Sequence, residues 1–299
     1  MHRKQPRTIT AQGTNSTGSI KSGNDRKKTM DSRLETYEDY TFSDQEHEFT
    51  VYKKAPPATE GLSPAIVVMH EVPGIYPAVI DFSERLIAEG YTVYMPSLLG
   101  TPGKAFSNAY TLASLAKACI SREFHVLAKN KSSPITDALR ALCRQAHEQC
   151  GGVGVGAIGM CLTGNFALSL MADKSVMAPV LSQPSLPFPM TKAHKSAMHI
   201  SDNELRCIKT RIKDEGAKVL GLRFTNDPMC PPERFRRLEA ELGNGFESIE
   251  IDSSSGNPYG LASASHSVVT RDLVDTDGHP TQEALHAVLG FFAMKLKEA

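Results

Sequence analysis

Apolar residues fall along this chain in two rhythms. Short unbroken runs, Ala65 to Met69 and Val153 to Ile158 above all, suit strands covered on both faces. Tyr91 to Met95, Ala178 to Ser182, Lys218 to Phe224 and Phe246 to Ile251 predict further strands. Glu48 to Tyr52 alternates Phe49 and Val51 with polar neighbours before the Pro56-Pro57 break, which predicts an edge strand. Between the runs the spacing becomes helical. Val79, Phe82 and Leu86 mark one helix, closed by Gly90; Leu112, Leu115 and Ala116 mark another; Ile135, Ala138, Leu139 and Leu142 give a third. Later helices are predicted after Gly164, from Asp202 as N-cap to about Lys213, from Glu233 to Leu242, and from Thr281 to Leu296. Strand and helix alternate throughout. The fold class is therefore α/β, a doubly wound, mostly parallel sheet with helices on both faces.

The stretch from Gly152 to Ala172 organises the rest. After its strand, Gly159-Met160-Cys161-Leu162-Thr163-Gly164 breaks the apolar run, and a helical pattern follows at once through Phe166, Ala167 and Leu170. Small residues on either side of a central one let two backbone segments pass closely and hold the middle side chain in a strained, exposed turn, with cysteine here at the apex. A sulfur at a helix N-terminus is favoured as thiolate. The competing reading is a buried structural cysteine beside a glycine-rich turn.

Two further strands deliver polar groups to the same edge. Asp227 lies in Asn226-Asp227-Pro228-Met229-Cys230-Pro231, and His266 lies in Ser265-His266-Ser267. Nucleophile, acid, histidine is a known chain order for a catalytic triad, and each candidate just follows a predicted strand. Asp227 also reads as a cap for the next helix. His279 and His286 rival His266, though His279 precedes Pro280 at a helix start and His286 lies on the closing helix.

Composition narrows the alternatives. Lys plus Arg equal Asp plus Glu at 33 each, so no net field points to nucleic acid or an anionic membrane. Six cysteines lack CxxC spacing and no secretory segment precedes them, which predicts reduced thiols in the cytoplasm. No apolar run approaches the roughly 18 residues of a membrane span. His194 and His199 stand in a loop without a third ligand, so a surface role is expected rather than a metal site, and no cofactor is implied. Residues 1–40 form a basic N-terminal tail ahead of a single domain over 41–299, and Met1 to about Met30 has too few apolar residues to fold. A monomer or small homo-oligomer is expected.

Four places give the chain a family likeness: His70-Glu71-Val72-Pro73-Gly74-Ile75, the Cys161 turn, the Asp227 loop and Ser265-His266-Ser267. Over roughly residues 45 to 297 the chain resembles the dienelactone hydrolases, the cysteine branch of the α/β-hydrolase fold. The resemblance implies a triad of Cys161, Asp227 and His266, with Glu71 holding the resting thiol and the backbone N–H groups of Val72 and Leu162 forming an oxyanion hole. It implies a small ester or lactone as substrate, hydrolysed through a thioester. Without the resemblance, Glu71 reads as a solvated loop carboxylate. The chain departs from the family at Thr163, where glycine is usual, and at Thr270, where an arginine for substrate carboxylates would stand, with Arg271 beside it. Residues 97–133 and 184–200 also lack a match to the small bacterial enzymes. A binder or thiol sensor of the same fold is the alternative, and it would have no need of His266.

Overall fold

Alternating burial builds the first edge of the sheet. In a computed structural model that describes residues 30–44, 46–57, 63–121 and 124–297, β1 (Glu38–Ser43) pairs antiparallel with β2 (Glu48–Lys54). Phe42 lies opposite Phe49 with the rings stacked 5.3 Å apart. The wholly apolar run becomes β3 (Ala65–Met69), buried at every position, followed by α1 (Pro77–Ala88) and β4 (Thr92–Pro96). Then come α2 (Asn108–Ile120), α3 (Ile135–Cys150), β5 (Val155–Met160) and the short α4 (Phe166–Leu170). The second half runs through β6 (Val176–Ser182), α5 (Lys192–Ser196), α6 (Asp202–Glu215), β7 (Val219–Phe224), α7 (Pro232–Leu242), β8 (Phe246–Ile251) and α8 (Pro280–Leu296).

The eight strands form one sheet in the order β1-β2-β4-β3-β5-β6-β7-β8. From β4 to β8 the pairing is parallel; β2 joins β4 antiparallel. One face is covered by α2, α3, α4, α6 and α7 through residues such as Leu139, Phe166, Ile208 and Phe235, and the other by α1 and α8 through Val79, Phe82, Leu285 and Phe292. The carboxyl ends of the parallel strands share one edge, where open α/β sheets bind ligands. β5 lies between β3 and β6, so its end faces loops from both sides.

Three expectations need correction. The domain begins before residue 41: Ser32–Thr36 is a 3-10 turn, Leu34 and Tyr37 are buried, and Asp31 N–H donates to the Gly103 carbonyl at 2.8 Å. The remainder of the expected tail, residues 1–29, lies outside the described residues. The cap of α6 is Ser201, not Asp202: its hydroxyl accepts from Glu204 N–H, and the Glu204 carboxylate returns to the Ser201 N–H in a capping box. His199 is buried, not superficial. Its Nε2 meets Ser133 Oγ at 2.9 Å and its Nδ1 the Ala128 carbonyl at 2.9 Å, and burial pushes its pKa down to about 4. All six cysteines are free. Among the described residues no helix is long and apolar enough to cross a membrane.

Candidate active site

The turn after β5 places Cys161 at φ 54°, a left-handed conformation that a side-chain-bearing residue adopts only where its surroundings impose it. Two glycines impose it. A Cβ on Gly159 would stand 2.1 Å from the Thr163 carbonyl oxygen, and one on Gly164 would stand 2.5 Å from the Pro184 Cα. Thr163, in the place where the resemblance expects glycine, puts its hydroxyl to use. It accepts from Met160 N–H at 3.0 Å and reaches the Met69 carbonyl at 2.9 Å, tying the elbow to the end of β3. The Cys161 carbonyl is fixed by the N–H groups of Gly164 and Ser185, and the thiol is half-buried. The helix that follows is only the five residues of α4. Its dipole is correspondingly slight, and the charged partner at the sulfur is a side chain.

That side chain is His266. Its Nδ1 lies 2.6 Å from Asp227 Oδ2, and the Asp227 side chain is fully buried. Asp227 Oδ1 accepts from Met229 N–H at 2.8 Å, so the residue caps its own turn and orients the imidazole together. Buried Arg223 steadies that turn from below by donating to the Cys230 and Thr225 carbonyls at 2.9 and 2.7 Å. The His266 side chain is 17 % exposed, yet its Nε2 is buried with no aligned hydrogen-bond partner. His266 nonetheless holds its proton well above the ordinary histidine range. Burial opposes the charged ring, but the charge of a nearby Cys161 thiolate and the hydrogen bond and charge of Asp227 overcome it. The sulfur is thus within reach of the ring without being aligned on Nε2 at rest. His279 is placed elsewhere: it caps α8, with Nδ1 2.7 Å from Thr281 Oγ1.

Glu71 does not meet Cys161. Its carboxylate is 2 % exposed as a residue and takes hydrogen bonds from Tyr76, Thr270, Ser267 and Gln183. The expectation that it holds the resting thiol is corrected on that ground: both oxygens are occupied. The solvated-carboxylate reading fails as well. Beside it, His70 Nε2 accepts from Leu98 N–H at 3.0 Å, so its Nδ1 carries the proton and donates to the Glu71 carbonyl at 2.9 Å. Burial lowers the His70 pKa to about 4, so the ring is a neutral fastener of the loop bearing Val72. Neither the Val72 nor the Leu162 N–H donates to a protein acceptor among the described residues.

Several residues at this edge carry no signal in the sequence. Asp272 Oδ2 accepts from the N–H groups of His266 and Ser267 at 2.7 and 2.9 Å. Burial opposes its charge, but those two amides and the Arg271 guanidinium hold its carboxyl below the usual range. Arg234 is fully buried without a carboxylate; it donates to the carbonyls of Pro184 and Pro187, both at 2.6 Å, and of Ala197 and His194. It therefore fastens the proline-rich loop against which Gly164 packs, and burial lowers its pKa to about 10.

A sequence model of the dienelactone hydrolase family matches residues 49–295. The chain belongs to this family. The sequence matches no curated protein. Among solved structures, a candidate dienelactone hydrolase from Klebsiella pneumoniae is similar with TM-score 0.56 at 18% identity, over 86% of this chain and 98% of that one. A dienelactone hydrolase from Anabaena variabilis gives TM-score 0.55 at 15% identity, over 88% and 100%. A dienelactone hydrolase-like promiscuous phosphotriesterase from metagenomic libraries gives 0.54 at 16%, over 87% and 98%. At these identities the likeness is one of fold, and it fits the sheet order and helix layers of a dienelactone hydrolase family member.

Proposed function

We propose that this dienelactone hydrolase family protein hydrolyses activated esters or lactones, with Cys161 as nucleophile, His266 as proton carrier and Asp227 as its orienting acid. One observation carries the reading. An imidazole bound to a buried carboxylate through Nδ1 keeps its other nitrogen unengaged beside a cysteine held at positive φ. A structural cysteine needs neither the strained turn nor the oriented histidine.

The chemistry follows from these groups. The Cys161 thiolate attacks the carbonyl carbon, and the resulting oxyanion is received by the Val72 and Leu162 amides; such donors are each worth about 10²–10³ in rate. Collapse breaks the carbon–oxygen bond of the leaving group, which takes a proton from His266 Nε2, and a thioester remains on Cys161. Water then gives a proton to Nε2 as it attacks the thioester, expelling the thiolate and releasing the acid. Thiolate is itself a good leaving group, so the first intermediate reverts unless the departing oxygen is also good. Enol esters, enol-lactones, aryl esters and thioesters therefore suit this site better than alkyl esters. Asp227 stabilises the imidazolium without taking its proton.

Purified protein is expected to hydrolyse p-nitrophenyl acetate, and Cys161→Ala to abolish turnover. Iodoacetamide is expected to modify half-buried Cys161 before exposed Cys119 and Cys207. Unchanged turnover in the alanine variant would overturn the reading.

A further inference from the structure

We propose that Glu71 is a permanent brace that locks the His266 loop to the oxyanion loop, so that the imidazole is held beside Cys161 before substrate arrives. The inference rests on the hydrolase reading and deepens it, since it concerns the state of the site at rest.

The argument begins with the donors around one carboxylate. An ionised carboxylate only accepts, and each oxygen serves about two donors. Oε1 of Glu71 receives the Tyr76 hydroxyl at 2.5 Å and the Thr270 hydroxyl; Oε2 receives the Ser267 hydroxyl at 2.7 Å and the Gln183 amide at 3.2 Å. Four donors fill the acceptor capacity, and the residue is buried. Turning the side chain toward the thiol would break four charge-assisted hydrogen bonds at once and strand their donors.

The donors also show what the carboxylate is for. Ser267 and Thr270 follow His266 by one and four residues, whereas Glu71 itself precedes Val72 at the end of β3. Gln183, just past β6, adds a second tie, since its Oε1 accepts from Val268 N–H at 3.3 Å. From the opposite side Asp272 holds the His266 and Ser267 amides. The segment 266–272 is therefore clamped between two carboxylates, and the imidazole it presents is fixed by Asp227. The charged and titratable groups about this pair are Asp227, Asp272, Glu71, Tyr76 and Arg271, with Arg234 behind Asp227. Arg271 lies over the Phe106 ring at 5.1 Å and shares the Glu71 field.

The test is the rate at which iodoacetamide alkylates Cys161 without substrate, followed by peptide mass spectrometry across pH. In the wild type, alkylation of Cys161 is expected to outpace that of the exposed Cys119 and Cys207. Glu71→Gln places an amide among donors; its alkylation profile is expected to move toward that of a free cysteine, with kcat lower by about 10- to 100-fold and KM within about twofold. Ser267→Ala and Thr270→Val, which each remove one strut, are expected to shift the profile the same way by less, and Thr270→Ser to restore it. These milder variants carry the test if Glu71→Gln does not fold. Faster alkylation in Glu71→Gln than in the wild type would mean that the carboxylate restrains the thiol, and an unmoved profile would mean that it does not position the histidine; either overturns the brace. Alkylation needs no turnover, so the result stands apart from the Cys161→Ala test of hydrolysis.

Discussion

Cys161 and His266 stand at the same edge of the sheet, but the turn that carries the cysteine is held by close backbone contacts and the loop that carries the histidine by side chains from distant parts of the chain. Around Cys161 the decisive contacts lie within a few residues, Gly159 against Thr163 and Gly164 against the Cys161 carbonyl, with Pro184 as the outer wall. Around His266 every support except Asp272 comes from far away: Asp227 from the end of β7, Gln183 from the end of β6, and Glu71 from the end of β3. Contacts between backbone atoms have no room to adjust, whereas a set of polar struts can lose one member and keep the rest. The elbow should therefore fail as a unit and the histidine loop by degrees.

The first way to break that contrast is Gly159→Ala. A methyl group 2.1 Å from a backbone oxygen must displace the turn, so turnover should fall below detection and the thermal midpoint should drop by about 10 °C. Calorimetry and a p-nitrophenyl acetate assay read both. Full activity in this variant would show that the elbow is not sterically set.

Asp227→Asn separates function from stability on the other side. The amide can still accept from Met229 N–H, so the midpoint should move by a few degrees at most. It no longer offers Nδ1 the negative charge that orients the neutral ring and stabilises the imidazolium, and kcat should fall on the order of 10³-fold. A loss below about tenfold would contradict the orienting role.

A smaller effect sharpens the comparison among buried histidines. His266 keeps its proton because anions face it, while burial holds His70 and His199 neutral to about pH 4, helped at His199 by the charge of Arg234. Unfolded histidines titrate near 6.5, so between about pH 6.5 and about pH 4 the unfolded chain binds more protons than the folded one. The stability these two neutral rings supply is complete above that window and lost as pH falls through it, up to about 3 kcal/mol from each. Urea midpoints measured across this range should fall steadily, and His199→Gln should lessen the slope. A flat profile would mean that the two rings are not held neutral.

The same contrast explains what the sequence made legible. The all-apolar runs and the Gly159–Gly164 spacing located the central strands and the elbow because local sterics and periodicity write themselves into adjacent residues. β1 went unread because Glu38–Ser43 places just one fully buried side chain, Phe42, among polar neighbours, and its partner strand supplies the rest of the cover. Ser201 was passed over for Asp202 because both residue types cap helices and the decisive Glu204 return bond appears only in the fold. Tyr76, Gln183 and Asp272, and the bonds that Ser267 and Thr270 make to Glu71, carry no signal in the sequence for a further reason. Ser267 and Thr270 lie 196 and 199 residues from Glu71, and no periodicity joins hydrogen-bond partners across that distance. Arg234 lies on an amphipathic helix whose sequence pattern does not mark it as buried, yet it is buried on four carbonyl groups.

Covalent capture of the intermediate bears most directly on the proposed chemistry. Protein mixed with p-nitrophenyl acetate, quenched in acid within the first turnover and digested, is expected to carry one acetyl group, on the peptide containing Cys161, at the same rate as the burst of nitrophenol. Acetyl appearing on another residue at that rate, or a burst undiminished in Cys161→Ala, would contradict it.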